Sequence, residues 1–408
     1  MSRVRRMLWR TFQGWLATVA GITVALMATT KVRKVLRGSG GDGFPVVEPR
    51  TVSTPRGDAT TYTYGADLYD DMIEAIESAS HHVYFESYIV KGDRTGERFK
   101  RALDAAADRG VEVYVVYDGF ANLVVRRGFY RFAPGVHVLR YPIYNAGLAP
   151  LSPRRWGRDH RKLLVVDDRV GFIGGYNIGD LYETEWRDTH VRVEGSAVWD
   201  LANAFSDFWT MLRPDDPIAG TGSRDWDPRV RIHRNVPRQL VFPIRNMYLE
   251  AIDRSTRHIR ITAAYFIPDH DILAALLAAR RRGVEVDIVV PEVSNHVLTD
   301  WLSRGFYGRL LRAGVRIHRY RHHMVHAKTC TIDGRWSTVG TANIDRLSLS
   351  GNYEVNLEIV DPAVAAHLEE VFATDLTNTE ELTREEWERR WVVARVCEWL
   401  LRPLGPLL

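Results

Sequence analysis

The sequence repeats itself at the residues best suited to chemistry. HRKLLVVDDRVGFIGGYNIGD (160–180) and HAKTCTIDGRWSTVGTANIDR (326–346) align without a gap, and His160/His326, Lys162/Lys328, Asp167/Asp333, Gly174/Gly340, Asn177/Asn343 and Asp188/Glu354 all stand 166 residues apart. One H-x-K run with a later aspartate is common by chance and reads most simply as solvated charge on a strand edge. A whole series of matched positions at one offset reads as two copies of a single unit.

The duplication extends upstream. MIEAIESASHHVYFESYIV (72–90) parallels YLEAIDRSTRHIRITAAYFI (248–267), and each reads as a helix of 3.6 periodicity running into an aromatic-ended strand. LDAAADRGVEVYVVYD (103–118) and LLAARRRGVEVDIVVP (276–291) follow, each with a glycine, Gly110 or Gly283, between a helix and a strand. PGVHVLRY (134–141) and AGVRIHRY (313–320) form a third echo. The expectation is an α/β protein of two similar halves packed against each other, each a β-sheet flanked by helices. The expected division is a membrane anchor over 1–40, a linker over 41–57, a first half over 58–214, a linker over 215–240, a second half over 241–380 and a C-terminal amphipathic helix over 381–408.

In a strand, residues i and i+2 share a face, so each H-x-K sets an imidazole beside an ammonium. Asp167-Asp168 and Asp333-Gly334 fall where the chain should turn back as a hairpin. The returning strand ends in Gly174-Gly175 or Gly340-Thr341, followed two residues later by Asn177 or Asn343, which lets backbone and amide donors approach an anion. Facing copies would bring two histidines, two lysines and two asparagines to one phosphodiester. In-line displacement needs a nucleophile on one side of phosphorus, an acid on the other and cations for the equatorial oxygens. Histidine titrates near neutrality and suits both end roles. Asp188 and Glu354, each 28 positions after its histidine, are suited to accept the other ring N–H and fix the tautomer.

With FESYI (85–89), RDHRKLLVVD (158–167), GGYNIGDLY (174–182), WRDTHVRVEG (186–195) and YFIPD (265–269), these runs resemble the phospholipase D superfamily, and within it bacterial cardiolipin synthases. The resemblance covers roughly residue 62 to the C-terminus. It implies two phospholipase D-like halves arranged pseudo-symmetrically around one active site, with His160, Lys162, Asp167, His326, Lys328 and Asp333 as the catalytic set. The implied reaction passes a phosphatidyl group through a phosphohistidine, with His160 as nucleophile and His326 as acid and then base. Phosphatidylglycerol is both donor and acceptor, glycerol leaves, and no cofactor or metal takes part. One departure stands out: NIDRLSL places Arg346 directly after Asp345, where many members have one further residue before Arg-Ser.

Two rival readings remain. A hydrolase would let water replace the acceptor alcohol, with a phospholipid or a nucleic acid as substrate. A non-catalytic lipid-binding protein would keep the fold alone, although degenerate copies usually lose a histidine or lysine and none is missing. No alternation of aromatic and basic residues suited to stacking single-stranded bases is present. The formal charge of +4 mildly favours an anionic partner.

Both ends point to a membrane, and the expected location is the cell membrane with the catalytic part facing the cytoplasm. Residues 11–30 carry no charge and are about long enough to cross a ~30 Å hydrocarbon core. Five threonines and two glycines keep an interfacial position open, and the basic run after residue 30 argues against a cleaved signal peptide. The tryptophans and arginines of 384–402 suit either a lipid interface or a terminal helix docked on the core. Two cysteines, Cys330 and Cys397, exclude a disulfide framework. HHMVH (322–326) has zinc-like i, i+4 spacing but lies on a strand approach, so a pocket or solvent role for His322 and His323 is the simpler reading.

Overall fold

The computed structural model describes residues 3–37, 43–143, 157–220 and 226–407. Parts of both expected linkers, at 41–42 and 221–225, and the end of the expected anchor, at 38–40, lie outside the described residues.

After helix α1 (Arg3–Arg37), the first half runs β1 (Arg50–Thr54), β2 (Gly57–Tyr62), α2 (Gly65–Glu77), β3 (His82–Ser87), α3 (Arg94–Asp108), β4 (Glu112–Asp118), β5 (Val136–Tyr141), β6 (Lys162–Val166), β7 (Val170–Gly174), α4 (Asp180–Thr184), β8 (Trp186–Arg187), β9 (His190–Glu194) and α5 (Val198–Leu212). The second half runs β10 (Val230–Asn235), α6 (Pro243–Asp253), β11 (His258–Ala263), β12 (Phe266–Ile267), α7 (His270–Arg281), β13 (Glu285–Pro291), α8 (Val297–Arg312), β14 (Arg316–Tyr320), β15 (Met324–Val325), β16 (Lys328–Ile332), β17 (Trp336–Gly340), β18 (Ile344–Asp345), α9 (Arg346–Ser350), β19 (Glu354–Val360) and α10 (Pro362–Leu376). β20 (Thr379–Glu381), α11 (Arg384–Glu388) and α12 (Val392–Leu401) close the chain.

The strand orders are β1-β2-β9-β7-β6-β3-β4-β5 and β10-β19-β17-β16-β11-β13-β14-β20. The six strands from β9 to β5 thus have counterparts in the same order from β19 to β14. Each half has two parallel pairings, β3 with β4 and β4 with β5, or β11 with β13 and β13 with β14; α3, α7 and α8 make three of these crossovers and a loop makes the one from β4 to β5. The remaining pairings within the sheets are antiparallel. β6 and β7 are buried along their whole length, as strands covered on both faces must be, and their sequences are correspondingly continuous in apolar residues.

Helices α2 and α3 cover one face of the first sheet through Leu68, Ile76, Phe99 and Leu103, and α6 and α7 cover the second through Ile244, Ile252, Ile272 and Leu276. Between the halves, Ile173, Val191 and Val193 of the first sheet share a core with Val339, Leu357 and Ile359 of the second, joined by Leu201 and Phe205 of α5 and Val364 and Leu368 of α10. Burial of this shared apolar layer, at roughly 25 cal/mol per Å², sets the halves in fixed register.

The N-terminal helix packs on the second half. α1 lays Trp15, Val19, Ile22 and Leu26 against Leu298, Trp301, Leu302 and Phe306 of α8 and Leu401 of α12. Its threonines turn back on the helix: Thr18 and Thr23 donate to the carbonyls of Gly14 and Val19. Among the described residues, no helix is long and apolar enough to cross a membrane.

Candidate functional site

The site forms where the two copies of H-x-K meet. Lys162 opens β6 opposite Ser87, and Lys328 opens β16 opposite Ala263, so both lysines lie at the end of the sheet toward which β3, β4, β11 and β13 run. Each lysine folds back on the histidine two residues before it, with Lys162 Nζ donating to the His160 carbonyl at 2.7 Å and Lys328 Nζ donating to that of His326.

Each histidine is bound to the opposite half. The His160 amide donates to the Tyr353 carbonyl at 3.1 Å, and Asp159 forms a parallel bridge to Tyr353. The His326 amide donates to the Arg187 carbonyl at 2.6 Å, next to the parallel pairing of β15 with β8. These stitches decide which carboxylate each imidazole meets. His160 Nδ1 lies 2.9 Å from Glu354 Oε1, and His326 Nδ1 lies 2.6 Å from Asp188 Oδ2. Spacing along the chain pairs each carboxylate with the histidine of its own copy; in the fold the partners are exchanged. A carboxylate at Nδ1 assigns the proton to that nitrogen and leaves the Nε2 lone pair for chemistry.

Burial and crowded cations set the charges. His160 and His326 are held well below the usual imidazole range, His326 down to about 3, first by loss of solvent and then by neighbouring lysines. Desolvation also pushes Lys162 down to about 7 and Lys328 to about 8. The carboxylates differ. Burial raises Glu354 to about 7, whereas at Asp188 the opposing pull of Lys328, His326 and the Thr189 amide outweighs burial and lowers its affinity for a proton. Near neutral pH the lysines and carboxylates of the site are close to balance, and an anionic phosphate among them would favour the charged form of both lysines.

The residues after the returning strands support the carboxylates. A Cβ on Gly175 would lie 2.0 Å from Asp188 Oδ1, so only glycine lets this carboxylate reach His326. At the matching position Thr341 donates its hydroxyl to Glu354. Asn177 is turned to the frame, its Oδ1 accepting from the Ile89 amide at 3.2 Å. Asn343 is buried, and its Oδ1 has no hydrogen-bond partner among the described residues.

Asp167 and Asp333 lie at the hairpin turns expected of them, apart from the histidines and lysines with which the resemblance groups them. They follow the last residues of β6 and β16, about 16 Å along a strand from the lysines. Both turn residues of each hairpin have positive φ, 53° and 51° at Asp167 and Asp168, 57° and 62° at Asp333 and Gly334. The Asp167 carboxylate accepts from the amides of Ser80, His81 and His82, and Asp333 accepts from Thr256, Arg257 and His258. Each ties its hairpin to the start of the neighbouring strand.

Several neighbours carry no role in the sequence reading although the matched motifs contain them. The Tyr88 ring meets His160 edge-on at 4.8 Å, Trp186 lies 5.0 Å from His326, and Tyr265 approaches His326 from 6.3 Å. Nothing in their spacing aims these rings at the site. Buried Arg187 pairs with Asp375 of α10 through both ends of its guanidinium, a partner 188 residues away. Glu86 accepts from Arg161 at 2.6 Å below the site. Arg280 and Arg282 cap carbonyls of neighbouring segments, and His323 approaches the Glu185 carbonyl. No cluster that could hold a metal ion occurs among the described residues.

A family model described as "Cardiolipin synthase, PLD-like domain" matches residues 72–209 and 248–376. The major cardiolipin synthase of Bacillus subtilis is 32% identical over 377 residues, covering 89% of this chain and 78% of that protein. A cardiolipin synthase of Clostridium perfringens is 31% identical, covering 87% and 78%, and one of Staphylococcus aureus 32%, covering 87% and 74%. Among solved structures, the phosphatidylserine synthase of Haemophilus influenzae superposes with a TM-score of 0.65 at 15% identity, covering 88% of this chain and 95% of that one. This last likeness is one of fold.

Proposed function

The chain belongs to the cardiolipin synthase, PLD-like domain family, and from that premise we propose that it is a phosphatidyltransferase that joins two phosphatidylglycerol molecules into cardiolipin and releases glycerol. The observation that carries the reading is the pair of exchanged histidine–carboxylate contacts enclosing two lysines. It gives one phosphorus atom a nucleophile and an acid from opposite halves.

In the first step His160 Nε2 attacks phosphorus, the P–O bond to the headgroup glycerol breaks, and the leaving oxygen takes a proton from His326. The product is a phosphatidyl group on His160. In the second step neutral His326 removes the proton from a hydroxyl of the second phosphatidylglycerol, that oxygen attacks phosphorus, and the P–N bond to His160 breaks. Lys162 and Lys328 offset the charge that grows on the equatorial oxygens. The unlike carboxylates support this division of roles. In the free protein burial and Lys328 hold His326 low; once an anionic phosphate offsets the lysines, Asp188, the firmer anion, favours the imidazolium that the acid requires, while Glu354 near its titration point leaves His160 neutral and nucleophilic.

The proposed location is the membrane surface. Support comes from the apolar side chains left exposed on α1, on α12 and at the residue before it, among them Trp9, Phe12, Trp391, Val392, Val396 and Trp399. The proposed division keeps 58–214 and 241–380 as the two halves.

The test supplies purified full-length protein with vesicles whose reactive lipid is phosphatidylglycerol, without added metal. Glycerol and cardiolipin should appear in equal amounts, and His160→Ala and His326→Ala should each fall to background while retaining the wild-type unfolding temperature. Phosphatidic acid as the main product would make the protein a hydrolase. Full activity in either variant would remove the two-histidine scheme.

A further inference from the structure

The segment after β4, GFANLVVRRGFYR (119–131), has a fixed base and an apolar, basic tip. At the base, buried Asn122 accepts from the Val90 amide at 3.0 Å and donates to the carbonyls of Tyr88 at 2.8 Å and Asp118 at 2.7 Å. Asp118, also buried, accepts from the amides of Phe120 and Ala121 on one side and of Asp159 on the other. Tyr88 touches the His160 ring and Asp159 precedes His160, so the loop is anchored on both flanks of one catalytic histidine. Phe129 and Tyr130 pack inward, with Tyr130 stacked on Tyr117.

The tip is exposed where the base is closed. Phe120 and Leu123 are each 53% exposed and Val124 83%. Arg126, Arg127 and Arg131 are exposed beside them, and none has a carboxylate partner among the described residues. A cluster of apolar tips rimmed by unpaired guanidinium groups is complementary to a surface with an anionic outer layer and a hydrocarbon interior. Its position fits as well. The segment occupies the place in the first half that the stretch after β13, leading into α8, occupies in the second. α1 and α12 pack on α8.

The geometry points to residues 120–127 as a loop that dips into an anionic bilayer beside the active-site mouth, opposite the apolar platform of α1 and α12. The enzyme then rests on the membrane at two places with His160 and His326 between them, and the scissile phosphate enters without leaving the headgroup layer. This inference rests on the proposed function, because it takes a membrane lipid as the substrate.

The experiment compares Leu123→Asp with Val124→Asp, and a charge reversal, Arg126→Glu with Arg127→Glu, against the unaltered protein. Binding to vesicles of phosphatidylglycerol mixed with phosphatidylcholine is measured by sedimentation. Activity is measured on the same vesicles and on short-chain phosphatidylglycerol below its micelle concentration. Either double variant should weaken vesicle binding and vesicle activity by about tenfold or more, with activity on the dispersed lipid within about twofold of wild type and the unfolding temperature unchanged. As an independent reading, Val124→Cys in a Cys397→Ser background, carrying an environment-sensitive dye, should shift to the blue on vesicles of phosphatidylglycerol and much less on phosphatidylcholine alone. Unaltered binding in both double variants, or an unshifted dye, overturns the inference, as does a changed oligomeric state with binding intact, which would make the tip a contact between copies of this chain. Absence of cardiolipin from the unaltered protein on either substrate form would instead overturn the proposed function.

Discussion

Lys162 and Lys328, like Glu354, titrate near neutral pH, and for the lysines that has a measurable consequence. Burial brings them to about 7 and about 8 in the free protein, while their work on a phosphate requires the charged form. An amine is charged below its pKa, so kcat/KM, which reports the free enzyme, should fall as pH rises through 7 to 8.5. At pH 6 the lysines are charged and, because both imidazoles are held low, the histidines remain neutral. A pH profile on a dispersed lipid checks this, and a kcat/KM that climbs steadily to pH 9 would contradict it. The histidines, lysines and acidic residues of the site were legible as a set from the offset of 166. Their pairing was not, because counting along one copy gives no information about a strap such as β8 with β15 that crosses to the other.

At the scale of elements, the repeat made the α-to-β joints and both hairpins readable. Gly110 and Gly283 end α3 and α7 with φ of 87° and 88°, and the Asp-Asp and Asp-Gly turns adopt the positive φ a short hairpin needs. What these aspartates do was harder to read, because a carboxylate that caps backbone amides looks in sequence like one that serves a reaction. Asp333→Asn should therefore lower stability by about 1 to 3 kcal/mol at pH 7 and leave the folded protein within a few-fold of wild-type kcat. The backbone amides around it hold the Asp333 carboxyl below its usual range, offsetting the opposing pull of burial. The stabilisation is thus present above the unfolded pKa of about 4 and lost as pH falls through the folded value. The difference in Tm between variant and wild type should be open at pH 7 and close below about pH 4. A large loss of kcat with unchanged Tm would return Asp333 to the chemistry.

Over the whole molecule, the chain's ends belong to the second half. α1 and α12 share a small core with α8, and Glu398 of α12 is held by Arg304 and Arg390. The absence of charge over 11–30 made a spanning segment a fair expectation. The contacts of Trp15, Val19, Ile22 and Leu26 with α8 were invisible in composition. Trp391 and Trp399 remain 82% and 70% exposed on the outer face. Replacing both with serine should reduce the vesicle-bound fraction severalfold with Tm unchanged, and a fall in Tm with binding intact would show that α12 only braces α8. The exchange of partners at the centre reaches further than any one property of the enzyme. Because His160 depends on Glu354 and His326 on Asp188, a polypeptide bearing just one copy could finish a site only by associating with its own twin. The fused arrangement reads as such a twin made permanent, in which the copies are free to drift apart in everything except what each lends the other.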